Sequence, residues 1–185
     1  MTQIQRLITN YRRFVSIPWA SSRAGAQRVW FAVYPPAEER RVRARVEEFA
    51  CATREAKHGW KMIDITDLPA RWLGANDYRD AYFAEPAALA TIEDDLRTAA
   101  VSELGKGCRA DDVDCDTVVA VLGAGSFFGF THLSGIIAQV EADIRGRLLI
   151  FFPGEYERNL YRFMDARDGF NYMAVPITCS ERLLI

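Results

Sequence analysis

Four cysteines and two histidines are all that the 185-residue chain carries of those types, and their placement excludes the scaffolds usually built from them. Cys51, Cys108, Cys115 and Cys179 form no CxxC pair and have no histidine at zinc-finger spacing, so neither a disulfide framework nor a structural zinc site is encoded. Reduced thiols in a cytoplasm are the simplest reading. No apolar run approaches the ~20 residues that span a bilayer, and the N-terminus lacks the apolar core of a signal peptide. The expectation is a cytoplasmic protein without membrane contact. A net charge of −2 argues against a generic nucleic-acid-coating protein, while leaving room for a local patch.

With 50% hydrophobic and 12% aromatic residues, the chain can bury one sizeable core, and residues 1–185 read as one domain. It is organised around residues 117–178. Thr117 to Leu122 is apolar and rich in β-branched residues, as suits a strand covered on both faces. A glycine-rich turn follows, then a helical pattern through Leu133, Ile136, Ile137, Val140 and Ile144, then a strand from Leu148 to Phe152 that Pro153-Gly154 stops. This is a βαβ unit, and its first loop lies where such units bind ligands.

Upstream, Ile4, Leu7, Ile8, Tyr11, Phe14 and Val15 line one face of a first helix that ends near Ile17-Pro18. The first thirty residues contain Arg6, Arg12, Arg13, Arg23 and Arg28 and no acid. These arginines read either as solvated flanks or as a contact surface for an acidic partner or nucleic-acid phosphates. A strand over 29–34 leads through Pro35-Pro36 into one long helix with Val42, Val46, Phe49, Thr53 and Ala56 on its apolar face, and interleaved Arg and Glu on the other make a salt-bridged surface. His58-Gly59 reads as its glycine cap, and Lys61 to Ile65 as a second strand, with Asp64, Thr66 and Asp67 as a capping turn. Residues 68–104 read as helical, with Trp72, Leu73, Tyr78, Tyr82 and Phe83 as an aromatic stripe of core type. Residues 105–116 read as an acidic, flexible loop; Asp111 to Asp116 lacks the glycine and the closing glutamate of a calcium loop. Tyr156, Leu160 and Phe163 read as the stripe of a short helix, 165–172 as a polar turn, and Met173 to Ile177 as the last strand.

Gly123, Gly125 and Gly129 nearly match a dinucleotide fingerprint, with the third glycine one position late, and no lysine follows as in a Walker A loop. No Lys or Arg lies between Gly123 and Glu141, so a phosphate would rest on backbone N–H groups and the helix N-terminus, with Ser126 and Thr131 adding hydroxyls. Phe127, Phe128 and Phe130 make the loop strongly apolar, which fits a packed turn or a protein contact better. His132 is the only imidazole near the loop and has no nucleophile to pair with; it reads as a packed or capping residue.

Several longer blocks resemble one known family. Gly123 to Phe130, Arg145 to Glu157, Asp165 to Tyr172, Tyr11 to Phe14 with Pro18-Trp19, Gly25 to Val29 and Ala52 to Trp60 together resemble the BrxB family. The resemblance implies a small cytoplasmic component of BREX, a bacterial system that restricts phage and methylates host DNA, working beside a methyltransferase, a large ATPase and the alkaline-phosphatase-like PglZ. PglZ is the partner it implies most directly. It implies no catalytic residue, cofactor or metal. The expectation is therefore a three-layer α/β domain with a mainly parallel, Rossmann-like sheet of about five strands, acting as a non-catalytic adaptor. Its contacts would come from the glycine loop, the aromatic stripe and the N-terminal arginines. The alternatives are a nucleotide- or phosphate-binding regulator using the loop, and DNA or RNA binding through the basic N-terminus.

Overall fold

A computed structural model describes residues 1–19, 25–164, 166 and 169–180. They form a mixed α/β, Rossmann-like fold. The strands are β1 Val29–Tyr34, β2 Gly59–Asp64, β3 Thr117–Leu122, β4 Arg147–Glu157, β5 Leu160–Phe163 and β6 Val175–Ile177. The order β2-β3-β4-β1-β6 is parallel throughout, and β5 pairs antiparallel with β4. Every residue of β1 and β3 is buried, because helices cover both faces of the sheet.

On one face, α1 Gln3–Val15 and α3 Val46–Glu55 pack on Trp30, Ala120, Leu149 and Phe151. On the other, α6 Glu93–Cys108 and α7 Leu133–Val140 pack on Val119, Val121, Leu148 and Ile150. Thr2 and Gln5 form a capping box at the start of α1, while Arg12 and Arg13 occupy its last turn, where cations oppose the helix dipole. The buried Tyr11 hydroxyl meets Thr53 of α3 at 2.6 Å, tying the two helices together.

Four expectations are corrected. The long helix after Pro35-Pro36 is two helices, α2 Glu39–Ala44 and α3, with a break at Arg45 (φ −122°, ψ 12°). Periodicity does not reveal the break, because Val42 and Val46 reach the sheet on either side of it. The left-handed cap is Lys57 (φ 70°), not Gly59: Lys57 N–H donates to Arg54 O at 3.0 Å and His58 N–H to Thr53 O at 3.1 Å, a Schellman closure. Gly59 instead opens β2, where an added Cβ would lie 2.7 Å from Thr117 Oγ1.

Gly105 and Gly107 belong to α6 rather than to a loop. A Cβ on Gly107 would fall 2.1 Å from Ile63 Cδ1, so the glycine lets α6 lie close against β2. Finally, residues 156–163 are not helical. β4 runs through Pro153-Gly154 to Glu157 and returns as β5, across Arg158 and Asn159 at φ 51° and 64°. β3 pairs with β4 only as far as Ile150, so Pro153 lies past that ladder and its missing N–H breaks no bond to β3.

Candidate functional site

The carboxyl ends of β1, β2 and β3 carry the residues with most chemistry. At Gly123 the backbone turns left-handed (φ 91°), and a tight turn over Ala124–Phe127 follows. A Cβ on Gly123 would lie 2.4, 2.5 and 2.6 Å from Thr66 Oγ1, N and Cα, so this glycine is pressed against the backbone that follows β2. The Ser126 hydroxyl reaches Gly123 O at 2.8 Å and Ile65 O at 3.3 Å, Phe127 is fully buried, and Gly125 rests near Pro153 and Met164. The loop therefore packs as a filled turn. Its hydroxyl is committed within the protein.

Beside it, the Tyr34 hydroxyl donates to Glu39 Oε2 at 2.5 Å, and Arg43 Nε donates to Glu39 Oε1 at 2.7 Å. Arg43 Nη2 then reaches Thr66 Oγ1 at 2.8 Å, and Asp64 accepts from both the Thr66 N–H and its hydroxyl. Burial, reinforced by Glu39, pushes the Tyr34 phenol well above its ordinary range. A cavity of about 260 Å³ lies over this network, with Pro36, Gly125 and Pro153 in its wall. Asp64 and Thr66 thus make the turn the sequence indicated. Asp67, by contrast, gives α4 no side-chain cap.

A larger cavity of about 520 Å³ opens where the glycine loop runs into α7, between Phe128, Phe130, Phe163 and Phe170. Gly129 turns left-handed at its edge (φ 83°) with open space around it. His132 corrects its expectation: it is exposed, and although it occupies the N-cap position of α7 its side chain caps nothing.

The described arginines do not form one surface. Arg28 Nη1 is committed to Ile144 O at 2.7 Å, Arg12 pairs with Glu55 at 3.2 Å, and Arg6 buries its Nε without a partner. Arg13 is exposed, while Arg23 lies outside the described residues, as do Asp165, Arg167 and Asp168 of the polar turn.

The aromatic stripe is likewise not core. α4 Leu68–Gly74 and α5 Arg79–Ala84 stand outside α6, and α5 buries no residue. Tyr78 is 71% and Phe83 67% exposed, with Trp72, Leu73 and Tyr82 half-buried beside them. α6 and α7 already cover that face of the sheet, so the helical apolar pattern of α4–α5 has no strand left to bury it.

Sequence reasoning missed a third cluster. Trp19 is stacked by His58 at 3.7 Å and 9° on one ring contact and by the Arg147 guanidinium at 4.7 Å, and His58 Nδ1 meets Asp116 at 2.6 Å. These residues are far apart in sequence. No local pattern joins them, because the fold alone brings the three segments together.

Among the described residues, no group of three His, Cys, Asp or Glu side chains is placed to hold a metal ion, and no helix is long and apolar enough to cross a membrane. No family model matches the chain, and neither a curated protein nor a solved structure matches it.

Proposed function

We propose that the chain is a non-catalytic adaptor of a BREX anti-phage complex, working through protein–protein contacts with PglZ. The biological setting comes from the sequence blocks that resemble BrxB. The contact reading is carried by one observation, the outward-facing aromatic surface of α4–α5, where Tyr78 and Phe83 are 71% and 67% exposed. Aromatic side chains clustered on a surface are the composition that interface cores favour.

The filled glycine turn lends less support to the nucleotide-regulator alternative, since Gly123 abuts Thr66 and Ser126 is bonded internally. The scattered arginines lend equally little to DNA or RNA binding, with Arg28 held by Ile144 O and Arg12 by Glu55.

Size-exclusion chromatography with light scattering on the chain mixed with PglZ tests the proposal. Co-elution is expected, with Tyr78→Ser/Phe83→Ser abolishing it at an unchanged thermal midpoint. Absence of a complex, together with micromolar nucleotide binding, would overturn the adaptor reading.

A further inference from the structure

Of the strands that bound the sheet, two are protected against further pairing. β6 closes one end with three residues, the middle one Pro176, which has no N–H to offer another strand. The outer side of β5 is taken by Phe170, which exchanges backbone bonds of 3.0 and 2.9 Å with Tyr161. β2, at the end opposite β6, has neither device. It is six residues long and without proline, and no strand among the described residues pairs with its outer edge.

Two hydrogen bonds fix which way its backbone points. Gly59 N–H donates to Asp116 O at 3.0 Å and Ile65 N–H to Leu122 O at 2.9 Å, so Lys61 and Ile63 between them also face β3. The N–H and C=O groups of Trp60, Met62 and Asp64 therefore point away from the sheet. Gly59, Met62 and Asp64 are exposed, Met62 by 46%, whereas β1 and β3 are buried throughout.

This outward pattern is complementary to itself. A two-fold axis through Met62 sets Met62 opposite its own copy and Trp60 opposite Asp64 of the second copy, and all three residues then exchange both backbone bonds. Charge favours the same antiparallel arrangement. Lys57, just before β2, is exposed and has no ion pair, while Asp64 and Asp67 at the other end have only ion-pair contacts of 3.8 Å, to Arg43 and Arg71. Of the other charges beside the strand, Lys61 is bonded to Asp112 and Asp116 to His58. An antiparallel neighbour brings the lysine end of each strand to the aspartate end of the other.

We propose that the chain pairs through β2 with a second copy of itself, antiparallel about Met62, giving one continuous sheet across both copies. Two short strands make a small interface, so association is weak and reversible: light scattering between about 10 µM and 1 mM shows the mass rising from one copy towards two. Over the same range the Trp60, Met62 and Asp64 amides gain about tenfold or more in hydrogen-exchange protection, while Lys61 and Ile63 are protected at every concentration. Met62→Lys and Met62→Glu each weaken self-association about fivefold, because like charges meet on the axis, and an equimolar mixture of the two restores it. Tyr78→Ser/Phe83→Ser, on the α4–α5 face, leaves it unchanged. A single copy at every concentration would overturn the proposal and leave the edge to a strand of another protein. Self-association without protection of the three outward amides, a mixture that associates no better than either charged variant, or loss of association in Tyr78→Ser/Phe83→Ser would each overturn it as well.

Discussion

Gly123 and Gly129 offer a controlled comparison, because both are left-handed, at φ 91° and 83°, and both lie in the same loop. Alanine at either position incurs the steric cost of that conformation, about 1–2 kcal/mol. At Gly129 nothing lies within 4 Å of the added Cβ, so the cost ends there. At Gly123 the Cβ would stand 2.5 Å from Thr66 N and 2.6 Å from its Cα, backbone atoms that no rotamer change can move away. Overpacking of that kind adds about 1–3 kcal/mol. Urea denaturation at constant m then gives a loss of about 1–2 kcal/mol for Gly129→Ala and about 2–5 kcal/mol for Gly123→Ala, with thermal midpoints lowered by about 2–4 °C per kcal/mol. Equal losses for the two variants would refute the reasoning. They would mean that the loop is not held against Thr66 and that its backbone is open to a ligand.

Four thiols should separate into two classes: burial pushes Cys108 and Cys179 up to about 11, while Cys51 and Cys115 are exposed, so a disulfide reagent at mildly alkaline pH titrates two thiols quickly and two only on unfolding. The Lys61 ammonium holds Asp112 below the ordinary carboxylate range, and the Thr117 hydroxyl and Asp116 N–H do the same for Asp114. Because both folded values are depressed, their stabilisation is present above the unfolded value of 3.8 and is lost as pH falls through the folded ones. Asp114→Asn should therefore flatten the acid limb of a midpoint-against-pH curve, and an unchanged limb would contradict the assignment. Replacing Arg158-Asn159 by Asn-Gly, the residues a two-residue turn with positive φ prefers, should raise stability by about 0.5–1 kcal/mol in urea.

The layered fold was legible because β1 and β3 are continuous apolar runs and α1 and α7 carry clean helical stripes. Local rules failed where long-range packing decides. Gly107 reads as a loop residue until Ile63 is placed against it, and Tyr156 and Leu160 share a helical spacing although they lie on paired strands with Tyr156 opposite Tyr161. Periodicity also cannot say whether a stripe finds a partner, which is why the α4–α5 aromatics read as core although Tyr78 and Phe83 are exposed and Trp72 and Tyr82 only half-buried. Within the loop, the glycines indicated a tight turn, but the contact between Gly123 and Thr66 joins two strand ends that are adjacent only in the folded sheet.

The most direct test of the adaptor proposal is calorimetric titration of PglZ with the chain, with Tyr78→Ser/Phe83→Ser and with Arg12→Glu/Arg13→Glu. The account predicts binding that the aromatic pair weakens about thirtyfold or more, as loss of interface anchors does, and that the arginine pair changes little. Binding lost on the arginine change but kept on the aromatic one would contradict the assignment of the α4–α5 face, and no heat with PglZ would contradict the adaptor role itself.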